Sequence, residues 1–224
     1  MASEIKQGTL ELVNHLPILQ VITPMLIAPI LVVLNNKTLS WLLSFVGTLA
    51  CLFISIILIQ SVSDGSILTY YLGGWVPPIG IEYRIDAANS ILLFLISIIS
   101  AIVLIFSYSS LHAEIPEEKH TLFYSSFLLC LTGLLGVVAT ADIFNVFVFL
   151  EISSLSTYVL VAQGAYLDRR ALSASFNYLI MGTIGATFFV IGSGYIYMAT
   201  GSLNMMDIAE RVSQVGDNRT IQAG

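Results

Sequence analysis

The sequence predicts an all-α integral membrane protein: six transmembrane helices, a short interfacial hairpin and an amphipathic C-terminal helix. Three observations carry this reading. Of 224 residues, 57% are apolar and only 10% charged, whereas soluble globular chains run near a quarter charged; mean hydropathy is +0.91. The apolar residues gather into six runs, at 15–34, 39–61, 87–108, 121–141, 143–163 and 173–199, and a hydrocarbon core takes about 20 residues of helix to cross. All eight Lys and Arg residues lie outside those runs. Within hydrocarbon each segment must satisfy its own backbone polar groups, so the runs are read as helices. The same composition excludes a disordered chain. Eight basic against fourteen acidic residues, a net charge of −6, excludes a nucleic-acid surface, which needs a basic patch to neutralise phosphates.

Residues 1–14 form a polar N-terminal segment of mixed charge. The first run is not read as a signal peptide, because no small-residue cleavage pattern follows it. Pro24 and Pro29 inside it predict a bend. The connection 62–86 carries its own structure. Gly80 to Asp86 alternate apolar and polar, with Ile81, Tyr83 and Ile85 on one side, which is a strand period. Gly73, Gly74, Pro77 and Pro78 supply turn chemistry. The expectation is a hairpin on the membrane surface, with Trp75, Tyr70, Tyr71 and Tyr83 at the interface. Ala139, Thr140, Ala141 and Asp142 mark a very tight turn between the fourth and fifth spans. The six spans make one transmembrane domain, 15–199, followed by an interfacial tail, 200–224. Within that tail, 202–216 reads as an amphipathic helix with Met205, Ile208, Ala209 and Val212 on one face. Asp217 to Gly224 is polar and expected to be loose.

Six spans place both termini on one side of the membrane. The loops with Lys37, Lys119, Arg169 and Arg170 lie on the other, balanced by Lys6, Arg84, Arg211 and Arg219. The first set sits in the shorter loops, so the positive-inside rule makes those loops cytoplasmic and both termini extracytoplasmic. Cys51 and Cys130 fall inside apolar runs and are read as buried thiols. No metal-ligand spacing occurs, and His15, His112 and His120 at span edges are read as structural. Neither a metal nor a cofactor is expected.

One acid stands apart. Glu151 lies near the middle of the fifth run, after Phe147, Val148, Phe149 and Leu150, and every other acid lies outside the spans. A charge at the centre of a membrane helix costs ~2.5–3.5 kcal/mol on insertion scales, so its presence points to a function. Ser154 at i+3 and Tyr158 at i+7 share its face. This stripe of acid, hydroxyl and phenol suits proton or cation transfer; the competing reading is a protonated acid bonded to a neighbouring helix. No Lys, Arg or His within a span can pair with it. In the sixth run, Gly182-x-x-x-Ala186 is a small-residue pattern for helix packing. Thr183 and Thr187, four apart, are expected to bond across an interface, and Asn177 and Tyr178 to make polar contacts at the start of that helix. Asp142 is a candidate access group for the ion, although a helix cap explains it equally well.

The stretch Asp142-Ile-Phe-Asn-Val-Phe-Val-Phe-Leu-Glu151-Ile-Ser-Ser resembles the fifth transmembrane helix of the antiporter-like family. That family comprises the D-type subunits of Mrp Na+/H+ antiporters, related subunits of membrane-bound hydrogenases and the proton-pumping subunits of respiratory complex I. Tyr71 to Asp86 is similar to the loop after the second helix in the Mrp branch. Asn177 to Gly185, then Ala199 to Asn204, match the sixth helix and its exit. The resemblance favours the Mrp or hydrogenase branch over complex I itself. It implies that Glu151 pairs with a lysine on a seventh helix. It also implies an architecture of about fourteen helices with two inverted repeats, so the chain is expected to be the N-terminal part of the antiporter-like fold, lacking the second half and its lysine.

The expected function is therefore a proton- or cation-translocating membrane subunit of a multi-subunit complex, either an Mrp-type antiporter or an ion-pumping assembly of the hydrogenase or NADH dehydrogenase type. Glu151 is the intramembrane proton carrier, with Ser154, Tyr158 and Asp142 as accessory groups. The alternative is a non-transporting scaffold or an inactive remnant of such a subunit. No catalytic site is visible, and any oxidoreductase activity would belong to the complex. Expected partners are other membrane subunits, including a chain that supplies the missing half and its lysine, together with H+, Na+ as a second candidate ion, and the lipid of a prokaryotic cell membrane.

Overall fold

The computed structural model describes residues 2–215 and 219–224, with side chains described from Asn14 to Gln214 and from Arg219 onward. Among the described residues six helices are long and apolar enough to cross a membrane. They are α1 (Ala2–Leu34), α2 (Lys37–Val62), α3 (Ala87–Glu114), α4 (His120–Ala139), α5 (Ile143–Gln163) and α6 (Arg170–Thr200). Two shorter helices follow, α7 (Met205–Val215) and α8 (Arg219–Ala223). The α1 helix does not start at the apolar run: its backbone is already helical through the polar segment from Ala2. In the tail, 219–223 is helical rather than loose, and Gly224 packs against Gly192 of α6; Asp217 and Asn218 lie outside the described residues.

The connections follow from local chemistry. Asn35 takes the left-handed conformation, φ 43°, that ends a helix, and the Asn36 side chain accepts from the Leu39 amide at 3.2 Å to start α2. Asp86 caps α3 in the same way, accepting from the Asn89 amide at 2.9 Å. Gly201, φ 68°, closes α6, a geometry glycine adopts without a Cβ penalty. The chain between α2 and α3 forms a hairpin of β1 (Leu68–Tyr71) and β2 (Glu82–Ile85), antiparallel, with Tyr70 opposite Tyr83.

The hairpin departs from its sequence pattern in one respect. Tyr83 was expected at the membrane interface, yet it is 2% exposed and sits under the hairpin, edge-on to Phe149. The neighbouring polar position, Glu82, is buried as well, because a tertiary partner reaches it there. Trp75, by contrast, projects outward at the hairpin's far end.

The bundle is apolar outside, and its interior mixes buried leucines such as Leu58, Leu93, Leu104 and Leu128 with small polar residues. Phe53, Phe106 and Phe188 face outward, as a lipid-facing surface requires. The buried stripe of α2 consists of Ser40, Ser44, Gly47, Thr48, Cys51, Ser55, Leu58 and Val62, and that of α3 includes Ser90, Ser97, Ser100 and Ser107. Small residues let helix axes approach closely; several of their hydroxyls return hydrogen bonds to their own helix or across the interface, whereas Ser44 Oγ and Thr48 Oγ1 are buried without a partner among the described residues. Ser97 Oγ donates to Leu93 O at 2.8 Å, Gln20 Nε2 donates to Ser97 Oγ at 3.2 Å, and Ser125 Oγ donates to Ala28 O at 2.9 Å. Cys51 is fully buried, while Cys130 is only half-buried, beside Thr157. At the centre, α4 packs against α1, α2, α3 and α5. At the edge, α6 rests mainly on α5 and is the least covered of the six.

Candidate ion-transfer site

The site is built on α5, whose start is fixed by Asp142. Its Oδ1 accepts from the Asn145 amide at 2.7 Å, and Asn145 Nδ2 donates to Thr140 Oγ1 at 3.0 Å. Only Thr140 to Asp142 separate α5 from α4, so the two helices are held antiparallel. Burial pushes the Asp142 carboxyl above its ordinary value of 3.8, against the lowering effect of the Asn145 and Phe144 amides. The folded state thus holds this proton more tightly than the unfolded chain, and the Asp142 contribution to stability falls as pH rises through the interval just above 3.8. Asp142→Asn keeps a capping oxygen and removes the titration. Thermal unfolding of the detergent-solubilised protein is expected to vary less with pH in the variant than in the parent, in the interval just above pH 3.8.

Glu151 comes nine residues after Asp142. That is two and a half turns, so the two acids lie on opposite sides of α5 and about 13 Å apart along its axis. The structure does not bring them together. Glu151 is half-buried. It lies in an open groove of about 280 Å³ between α5 and α6, with Phe147 from its own helix and Thr183, Ala186, Thr187 and Val190 from α6. Among the described residues no hydrogen-bond or ion-pair partner of Glu151 is found.

Further along the same seam, Tyr158 is buried with its hydroxyl against Gly182, where a Cβ would come within 1.9 Å of Oη. Its ring meets Tyr178 edge-on, with centroids 5.2 Å apart, and Ser175 Oγ donates to its backbone carbonyl at 2.8 Å. Glu151, Tyr158, Gly182 and Ala186 therefore share the α5–α6 seam, and Ser154 lies half-buried between the acid and the phenol. Thr183 and Thr187 do not bond across an interface as the sequence suggested. Thr183 Oγ1 donates to Leu179 O at 2.8 Å and Thr187 Oγ1 to Thr183 O at 2.7 Å, both within α6. Ser and Thr hydroxyls within helices commonly donate to the carbonyl one turn back in this way.

Sequence reading missed a second polar cluster, at the end of the bundle where the hairpin meets the α4–α5 and α6–α7 connections. Asn204 Nδ2 donates to Glu82 Oε2 at 2.7 Å, and both residues are buried. Asn204 Oδ1 also accepts from the Met206 and Asp207 amides, capping α7. Backbone bonds from Ala141 N to Glu82 O and from Met205 N to Ala141 O tie the three segments together. Tyr83 lies in the same cluster; burial pushes its phenol up to about 12, although the Asn145 side chain acts in the opposite direction. One signal was available, an asparagine placed just before an amphipathic helix.

Asn204→Leu should cost ~1–3 kcal/mol for the orphaned Glu82 carboxyl and about 1 kcal/mol for the lost cap. Hydrogen exchange of α7 amides is the measurement, and faster exchange is expected. Removing both partners, Glu82→Leu with Asn204→Leu, should recover part of the loss, because no buried polar group is then left unpaired.

Residues 140–223, which include Glu151 and the helices on either side of the groove, match the family described as NADH:quinone oxidoreductase/Mrp antiporter, transmembrane region. The chain is 39% identical over 210 residues to the N subunit of the NADH-quinone oxidoreductase of Desulforudis audaxviator, covering 92% of this chain and 41% of that protein. It is 32% identical over 209 residues to the D subunit of the Na(+)/H(+) antiporter of Bacillus subtilis, covering 93% and 41%. These identities do not favour the Mrp branch over the oxidoreductase branch. Among solved structures, an archaeal respiratory membrane complex, the membrane-bound sulfane sulfur reductase, contains a chain that superposes with a TM-score of 0.82 at 31% identity, over 95% of this chain and 42% of that one. The Mrp complex of Dietzia sp. shares the fold, with a TM-score of 0.76 at 21% identity, over 91% and 40%. The chain thus spans about two fifths of the length of the curated relatives it matches. With six membrane-length helices among the described residues, sequence identity along nearly its whole length and a superposable fold, it is similar to about two fifths of a membrane subunit of the antiporter-like family.

Proposed function

We propose that the chain is part of a proton- or cation-translocating membrane subunit working inside a multi-subunit complex, and that Glu151 is its intramembrane proton carrier. The observation that carries this is a half-buried carboxyl in mid-helix, facing an open groove, with no polar partner among the described residues. A structural acid is held by hydrogen bonds, because an unpaired one in a low-dielectric interior is costly. A carrier needs space for water and a partner that comes and goes. Ser154 and Tyr158 continue the polar face towards the start of α6. Asp142 enters the proposal only as the cap that fixes the start of α5.

The cationic counterpart, a lysine by analogy with the family, comes from polypeptide beyond these residues. Redox or antiport coupling comes from other membrane subunits, as the composition of the related complexes suggests. The setting is a prokaryotic cell membrane, with the Lys37, Lys119 and Arg169–Arg170 loops cytoplasmic and both ends of the chain extracytoplasmic. The test is Glu151→Gln in the assembled complex. Transport at the parental rate would overturn the proposal and leave the scaffold reading in its place.

A further inference from the structure

We infer that Thr183 and Thr187 are cation-ligating residues, which with the Glu151 carboxyl form a binding site for an alkali-metal ion in the α5–α6 groove. The inference rests on the transport reading of Glu151 and adds the chemical class of an ion and the residues that hold it.

The argument starts from hydrogen positions. A threonine hydroxyl has one hydrogen and two lone pairs. Thr183 gives its hydrogen to Leu179 O and Thr187 gives its own to Thr183 O. Both residues also line the groove that contains Glu151. What they offer the groove is therefore lone pairs alone, and an ionised carboxyl likewise only accepts. The other groove residues from the two helices, among them Phe147, Ala186 and Val190, bring neither donors nor acceptors in their side chains. Every polar side-chain atom lining the groove is thus an oxygen acceptor.

Such a set discriminates between two uses. A proton wire needs groups that donate and accept in turn, and a hydroxyl whose hydrogen is committed to its own backbone does not pass a proton on. A hard cation needs the opposite: several oxygen ligands with no hydrogen pointing inward. The two threonines suit the second use, and proton transfer is left to Glu151 with Ser154 and Tyr158. The groove's volume of about 280 Å³ accommodates an ion with several waters, given about 30 Å³ of liquid volume per water. The threonines stand four residues apart on α6, one turn, so their oxygens lie on one face. The carboxyl supplies the charge that a neutral pair of hydroxyls lacks.

Two measurements on the intact complex in membrane vesicles read the site. The first is protection of Glu151 from a hydrophobic carbodiimide, which modifies protonated carboxyls, scored by mass spectrometry of the peptide containing it. Na+ or K+ is expected to protect, and choline at equal ionic strength is not; whichever alkali ion protects better identifies the occupant. The second is the cation concentration that half-saturates transport. Thr183→Val with Thr187→Val keeps the shape and removes both oxygens. It should raise that concentration about tenfold or more, each tenfold being one decade in affinity, whereas Thr183→Ser with Thr187→Ser should stay near the parent. Should the valine pair fail to assemble, Thr183→Ala with Thr187→Ala is read the same way. Absence of protection by either alkali ion, or an unchanged half-saturating concentration without the two oxygens, overturns the inference. The parent reading fails separately, through a fully active Glu151→Gln complex.

Discussion

Glu151→Gln in the assembled complex is expected to lower ion transport about a hundredfold or more, equivalent to ~2.7 kcal/mol in the limiting step, while the bundle stays folded. The two halves of this expectation have separate grounds. Glutamine has the shape of glutamate and can still hydrogen-bond, but it neither takes up nor releases a proton near neutral pH, and it offers no charge to a passing cation. Transport through this position therefore stops. Stability is spared because Glu151 has no hydrogen bond or ion pair to lose among the described residues, so no partner is left unsatisfied. An amide is also cheaper than a charge to hold within hydrocarbon. Glu151→Asp completes the series: the charge is kept and the reach shortened by one methylene, so intermediate transport is expected. The measurements are ion flux in vesicles and the yield of assembled complex. Loss of flux together with loss of assembly would instead mark Glu151 as structural.

The six apolar helices were legible because hydropathy alone specifies where hydrocarbon can hold a chain. Glu151 was legible for the converse reason, as the only Asp, Glu, Lys or Arg within the six apolar runs. Tertiary geometry was harder to read. Asp142 and Glu151 look like members of one path along the sequence, yet helical rotation puts them on opposite sides of α5. Thr183 and Thr187 looked like interhelical glue, and their true surroundings emerge only when α6 is laid on α5. Tyr83 carries the composition of an interfacial tyrosine and is buried all the same, because β2 folds inward over the α4–α5 turn. The Glu82–Asn204 pair joins residues 122 apart, and no local pattern encodes such a contact.

The small-residue contacts show the same limit, and they lead to the second large effect. Sequence spacing singled out Gly182 and Ala186, but the tightest backbone approach between two membrane helices among the described residues lies at Gly133 on α4. A Cβ there would meet the Ser153 amide nitrogen at 2.6 Å and the Phe149 carbonyl oxygen at 2.7 Å. These are backbone atoms of α5, and they cannot swing aside. At Gly182 the obstacle is the far end of the Tyr158 ring, which rotation of one side chain relieves. Gly136, three residues on from Gly133, packs against the Phe149 ring in the same seam.

Gly133→Ala is therefore expected to destabilise the bundle by ~1–3 kcal/mol, the usual cost of overpacking, despite the better helix propensity of alanine. Gly133→Leu should prevent assembly. Gly185→Ala and Gly194→Ala are the controls: nothing lies within 4 Å of a Cβ at either position, so propensity acts alone and stability should hold or rise by up to ~1 kcal/mol. Thermal unfolding in detergent measures all four variants. The damage at position 133 should also reach the site, because α5 carries Glu151 and rests on α4 through this contact. With only Thr140 to Asp142 joining the two helices, α5 cannot slide along α4 to escape the clash. It must move outward instead, towards α6, into the groove where Glu151 sits. Unchanged stability in Gly133→Ala would show that α4 and α5 do not approach this closely, and the placement of Glu151 opposite Thr183 and Thr187 would lose its support.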